Sequence, residues 1–241
     1  IPGNAARAIE AVREARIEHG ADIVVFPELF LSGYPPEDLL LRPSMETRLR
    51  EARALMASKV ARDVLVIIGY PGVREGRCYN LAGVLFNGQW EAEYAKQALP
   101  NYQVFDEQRY FTPGTEPLVY EHKGAKLGLL ICEDLWDGAP VRATTEAGAE
   151  ILISLNASPY HQDELAFDGG SSCVNASGEL QVLAPYWQAG LMPVQFLQTS
   201  ATVWEPQPGE IDPEVEPEES LYCALVPGLR DYVNKSGFDG V

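Results

Sequence analysis

Three residues of this 241-residue chain sit where burying a charge or a thiol costs free energy, and each has chemistry to offer. Cys132 ends the apolar run Leu127-Gly128-Leu129-Leu130-Ile131 and is followed at once by Glu133 and Asp134. A run of that length and bulk reads as a buried strand, and α/β folds place reactive groups at the carboxyl ends of such strands. Glu28 stands between apolar residues in Phe26-Pro27-Glu28-Leu29, where an ionised carboxylate is unfavourable unless paired. Lys96 follows the strand-like stretch from Trp90 to Tyr94 and precedes the irregular, aromatic run Leu99-Pro100-Asn101-Tyr102-Gln103-Val104-Phe105-Asp106-Glu107. That run reads as a shaped pocket loop.

A thiol attacks only as thiolate, and a neighbouring base or cation promotes that state. A thiol, a carboxylate and an ammonium together suffice for acyl transfer. Glu28 would take the thiol proton and return it to a leaving nitrogen. Lys96 would stabilise the oxyanion, with the backbone N–H of Glu133 as a second donor. The plainer alternatives are a packed cysteine, a solvated glutamate and a surface lysine. Histidine is not needed. His19, at a helix end, and His122, before the turn Lys123-Gly124, are expected in solvent, and His161 lies in an irregular segment. A Cys–His dyad and a zinc site are not expected.

Composition narrows the partners. A formal net charge of -17 repels phosphate, which argues against nucleic acid and anionic membranes. Hydrophobic content of 46% suits a globular core, and no stretch reaches membrane-spanning length. Cys78, Cys132, Cys173 and Cys223 lack metal-ligand spacing and suggest a reducing, cytoplasmic setting. The chain opens on Ile and runs directly into a helix, with no signal peptide, and is expected to begin inside a larger protein.

The elements that must position these groups follow in order. Residues 5–19 read as a helix, with Asn4 as N-cap and Ile9, Val12, Ala15 and Ile17 inward. Residues 21–26 read as a strand delivering Glu28. A second helix spans 44–61, with Leu49, Ala52, Leu55, Met56 and Val60 inward. Strands at 64–70, 79–86 and 90–94 are joined by turns at 74–77 and Asn87-Gly88. A hairpin at 118–122 and 126–131 leads to Cys132, followed by a helix at 141–148 and a strand at 151–155. The next parallel strand would need a crossover helix, and only Pro159 to Glu164 stands there, so a segment is expected to be missing near 160–162. Residues 165–167, 171–175 and 179–183 read as a meander. Residues 205–219 carry seven carboxylates, four prolines and no basic residue, and read as a linker. Leu221, Leu225, Leu229 and Tyr232 then mark a helix within 220–241 that would open a further domain, leaving 1–204 as the first.

The three reactive motifs, Phe26-Pro27-Glu28-Leu29, Tyr94-Ala95-Lys96 and Ile131-Cys132-Glu133, resemble in type and order those of the nitrilase superfamily. Leu31-Ser32-Gly33-Tyr34-Pro35-Pro36-Glu37-Asp38, the run from Leu99 to Glu107, and Asp168-Gly169-Gly170-Ser171 resemble the glutaminase domain of glutamine-dependent NAD synthetases. The segment from Leu229 to Phe238 resembles the lead-in to their synthetase domain. The resemblance implies an αββα sandwich with Cys132 as nucleophile, Glu28 as base and acid, Lys96 at the oxyanion and Glu107 as an auxiliary acid. It implies that Tyr102, Ser158 and Glu133 are the substrate-binding residues, Tyr102 and Ser158 holding L-glutamine. It also implies that ammonia is channelled to a synthetase domain using ATP and Mg2+ on deamido-NAD, and that the protein is a homo-oligomer. The reading kept beside it is a free-standing amidase of omega-amidase or carbamoylase type. A scaffold without catalysis would leave all three reactive residues unexplained.

Overall fold

The computed structural model describes residues 1–102, 105–157, 169–213 and 215–236. These divide into two compact units, Ile1–Ala157 and Ser158–Val241.

The first unit opens with helix α1 (Pro2–Glu18). Proline in the first turn suits the start of a helix, where its missing N–H is not needed. Asn4 is not the cap. It lies inside the helix, and its Nδ2 donates to Phe30 O at 2.9 Å, tying α1 to the loop behind Glu28. Ala5, Ala8, Val12 and Ala15 form the buried stripe, and Ile17 falls outside it at 62% exposure. Strand β1 (Ile23–Val25) pairs parallel with β2 (Leu65–Arg74). Between them α2 (Pro43–Lys59) buries Leu49, Ala52 and Met56, while Leu55 turns outward.

Strand β2 runs antiparallel to β3 (Arg77–Phe86) through the turn Glu75-Gly76. The Asn87-Gly88 turn links β3 to β4 (Gln89–Ala95). The sheet order is β1-β2-β3-β4. A second sheet, β5-β6-β7, pairs β5 (Leu118–His122) antiparallel and β7 (Ile151–Leu155) parallel to β6 (Ala125–Ile131). Between β6 and β7 lie a short helix, α3 (Asp134–Asp137), and α4 (Ala139–Glu146).

β3 meets β6, β4 meets β5, α2 covers β2, and α3 and α4 lie on β6. The layers are therefore helix, sheet, sheet, helix, the sandwich the motifs imply. β2 is covered on both faces, with Leu65, Val66, Ile67, Ile68 and Tyr70 wholly buried. Each such aliphatic side chain contributes about 1.5–3 kcal/mol, which makes β2 a rigid base for the loop beside it. His122 is not in solvent. It is 7% exposed, and its ring stands edge-on to Phe86 of the other sheet at 5.0 Å. Burial lowers its pKa, so it is held neutral.

In the second unit β8 (Ser172–Val174) and β9 (Leu180–Leu183) form a hairpin. A second hairpin, β10 (Phe196–Ser200) with β11 (Val203–Pro206), has no counterpart in the sequence reading. Among the described residues β8 pairs with β9 and β10 with β11, and Leu183 of β9 also bridges Ile211, all within the second unit. The acidic stretch is docked along its first half. Gly209 N donates to Gln181 O, Leu183 N to Glu210 O and Asp212 N to Leu183 O, at 3.0–3.1 Å. The backbone thus finds partners along β9 while Glu205 and Glu210 stay in solvent. Helix α5 (Pro217–Ser236) follows, with Glu218 and Glu219 in its first turn, where the helix dipole favours them. Leu221, Leu225 and Leu229 are 41–63% exposed, and Tyr232 and residues 237–241 lie outside the described side chains. No helix among the described residues is long and apolar enough to cross a membrane.

Candidate active site

Glu28 leaves β1 in a tight turn laid against β2. Gly69 N donates to Pro27 O at 3.2 Å, and Leu31 N returns a bond to Gly69 O at 3.1 Å. A Cβ on Gly69 would lie 2.4 Å from Leu29 N and 2.5 Å from Pro27 O, so only glycine lets the turn approach. Leu29 takes φ +52, a left-handed conformation rare for a bulky residue, and Ser32 and Gly33 N–H groups hold its carbonyl. The turn directs Glu28 inward, where it is 1% exposed.

Lys96 is delivered from the end of β4. Its N–H donates to Asn80 O at 2.9 Å, and its carbonyl accepts from Gly114 N at 2.8 Å. Its side chain is wholly buried, and Nζ donates to Glu28 Oε1 at 2.9 Å and to Glu107 Oε1 at 2.8 Å. Asn80, on β3, donates from Nδ2 to the same Glu28 oxygen at 2.7 Å. Sequence reasoning missed Asn80, although an asparagine inside an apolar strand is itself a signal that a buried partner exists. Glu28 Oε2, Glu107 Oε2 and Asn80 Oδ1 are buried without a partner among the described residues.

Two carboxylates and one ammonium in a buried space leave one excess negative charge. Burial alone would strip the proton from Lys96, but Glu28 and Glu107 outweigh it and raise its pKa, so the ammonium stays charged. Glu107 absorbs the imbalance. Burial and the charge of Glu28 push its pKa up to about 7 against the pull of Lys96.

Cys132 stands at the first residue past β6, 5% exposed, with φ +46. Its N–H donates to Leu155 O at 3.0 Å, and its carbonyl accepts from Leu135 N at 2.9 Å, so the strained turn is held from both sides. A thiolate at Cys132 would raise the pKa of Lys96 and of Tyr34. Tyr34, read from sequence only within the run from Leu31 to Asp38, is held neutral by burial and by the charges of Glu28 and Glu107. The predicted Cys132, Glu28, Lys96 and Glu107 thus come together, with Tyr34 beside them.

Asp134 escaped the sequence reading as a site residue. It is wholly buried and accepts four hydrogen bonds. Oδ1 takes Gln97 N at 3.0 Å and Ala98 N at 2.8 Å, and Oδ2 takes Tyr94 Oη at 2.8 Å and Ile131 N at 3.0 Å.

A depression of about 480 Å³ is lined by Gln97 to Tyr102, Gln108, Glu133 and Asp137, which include the chain neighbours of Lys96 and Cys132 but none of the four reactive side chains. Tyr102 Oη donates to the Glu133 carboxylate at 3.0–3.1 Å, so two residues expected to hold substrate meet at its wall. Ser158, the third, lies outside the described residues, as do Gln103 and Val104.

Comparison with known proteins agrees with this geometry. The carbon-nitrogen hydrolase family model matches residues 1–169. The chain is 36% identical, over its whole length, to 49% of the glutamine-dependent NAD(+) synthetase of Acinetobacter baylyi. The solved structure of glutamine-dependent NAD+ synthetase from Acinetobacter baumannii, in complex with ADP, superposes with a TM-score of 0.90 at 34% identity, covering 99% of this chain and 50% of that one. An amidase from Nesterenkonia sp. superposes with a TM-score of 0.67 at 25% identity, covering 76% of this chain and 80% of that one. The chain spans about half the length of the synthetases it matches. Three motifs at three strand ends, the layered fold and the family match agree, and the chain belongs to the carbon-nitrogen hydrolase family.

Proposed function

We propose that this chain hydrolyses the side-chain amide of L-glutamine through a thioester on Cys132. The observation that carries this reading is the buried ammonium of Lys96, held at 2.8–2.9 Å between Glu28 and Glu107 beside the Cys132 turn. Glu28 Oε1 is occupied by Lys96 and Asn80, which leaves Oε2 to take a proton. The Cys132 thiol gives its proton to Glu28 as sulfur bonds to the amide carbon. The carbonyl oxygen becomes an oxyanion facing Lys96 and the Glu133 N–H. Glu28 returns the proton to the leaving nitrogen, the C–N bond breaks, and ammonia departs. Water then attacks the thioester, giving its proton to Glu28, and glutamate leaves as the thiol re-forms. Glu107, carrying the shared proton near neutrality, keeps Lys96 in place without adding a second full charge.

By the same reading the ammonia is channelled to an ATP- and Mg2+-dependent synthetase half that amidates deamido-NAD, in a cytoplasmic homo-oligomer. The 36% identity to a named synthetase across the whole chain supports this over a free-standing amidase. Among the described residues no three His, Cys, Asp or Glu side chains gather as a metal set, and no step above uses a metal.

The test is to supply the protein with L-glutamine and measure glutamate and ammonia. Equal release of both, abolished in Cys132→Ala, is expected. With the synthetase half, ATP, Mg2+ and deamido-NAD present, NAD should form. Preference for an ω-amido keto acid or a carbamoyl amine over glutamine would support the free-standing amidase instead. No turnover of any amide would overturn both.

A further inference from the structure

Cys132 and Lys96 come from different sheets, so something must fix the distance between the ends of β6 and β4. The ladder bonds cannot do it, because β6 pairs with β5 and β7, and β4 pairs with β3. We infer that Asp134 is a positioning residue that ties the Cys132 turn to the Lys96 strand end.

Its two oxygens face the two sides. Oδ2 accepts from Ile131 N, the residue before Cys132, and from Tyr94 Oη, two residues before Lys96. Oδ1 accepts from the N–H groups of Gln97 and Ala98, immediately after Lys96. One carboxylate therefore grips Lys96 from before and behind, and brackets Cys132 between Ile131 N and Asp134 itself, two residues past the thiol. The same bonds tie Gln97 and Ala98 to the turn that carries Glu133, and all three line the depression.

An acid is required for this, not merely a polar residue. All four partners are donors, and a carboxylate offers acceptors on both oxygens. Asparagine would turn an NH2 toward one pair and break that side. Burial raises the pKa of Asp134 above its ordinary value, and its bonds from Ala98 N, Tyr94 Oη, Ile131 N and Gln97 N offset part of that rise.

The inference rests on Cys132 as nucleophile, and the alkylation arm of its test does not require glutamine turnover. Iodoacetamide alkylation of Cys132 is followed by peptide mass across pH, together with kcat, KM and thermal melting. The titratable groups around Cys132 are Lys96, just past β4, and Tyr34, from the loop after β1, with Glu28 and Glu107 on Lys96 and with Glu133 and Asp134 next along the chain. Asp134→Asn is expected to lower kcat at least about 100-fold. Its alkylation profile should move toward that of an ordinary thiol, at temperatures where the variant is folded. Tyr94→Phe keeps the buried ring and removes one donor, and should lower kcat about 3- to 10-fold with a smaller shift of the same sign. If Asp134→Asn does not fold, Tyr94→Phe decides. A role confined to stability would lower melting but leave kcat and the alkylation profile at wild-type values, and that result overturns the inference. Wild-type alkylation without glutaminase activity would instead count against the proposed substrate alone.

Discussion

The chain carries two concentrations of acid governed by opposite physics. Glu28 and Glu107 are 1% and 8% exposed and share one ammonium in a space closed to water. Glu205 and Glu210 keep their charges in solvent while their backbone borrows partners from β9. Around the first pair each charge is bound to its neighbours, because an unpaired buried ion costs several kcal/mol. In the acidic stretch the charges are interchangeable, and only the main chain is tied. The position of a carboxylate relative to a buried strand end, rather than the number of carboxylates, marks where chemistry can be done.

The comparison can be broken most strongly at Lys96. Lys96→Ala leaves two buried carboxylates without their cation, and is expected to destabilise the fold by about 3–5 kcal/mol in urea unfolding. Glutamine turnover should fall by about 100-fold or more. A loss no greater than that of a surface substitution would remove the distinction. Asn80→Ala takes one of two donors from Glu28 Oε1 and is expected to cost about 1–3 kcal/mol by the same measurement.

Glu107→Gln sharpens the comparison through pH. In the folded protein Glu107 titrates near 7, above its ordinary 4.5. The folded state therefore holds that proton more tightly than the unfolded chain. Its contribution is present below about pH 4.5 and lost as pH rises through about 7, on the order of 3 kcal/mol. Urea unfolding at about pH 5 and about pH 8 should show wild type losing stability relative to Glu107→Gln over that window. The smallest effect is expected at the surface. Arg16→Ala breaks the exposed pair with Asp63 and should leave the urea midpoint unchanged.

The same physics decides how much could be read without coordinates. Glu28, Lys96 and Cys132 were legible because each interrupts or ends an apolar run, where burial demands a reason. The hairpin turns were legible because Asn87-Gly88 and Lys123-Gly124 suit tight reversals. Asn80, Tyr34 and Asp134 were not singled out, since their roles exist only when strands distant in sequence meet. Asn4 reads as a cap by residue type, yet its amide is used across the fold at Phe30. His122 looks exposed beside a Lys-Gly turn, but the second sheet closes over it. The stretch 205–219 reads as a linker because composition records what side chains can bury and says nothing of an open strand edge. β10 and β11 were missed because β10 is exposed after its first residue and β11, four residues long, is too short for its alternation to show.

The central claim is that Cys132 forms a covalent bond to the substrate acyl group with Glu28 and Lys96 in attendance. Quenching the protein in acid during glutamine turnover and mapping its peptides by mass tests it most directly. The account expects one glutamyl group on Cys132, absent from Cys132→Ala. Steady ammonia release with Cys132 unmodified, or from the Cys132→Ala protein, would contradict it.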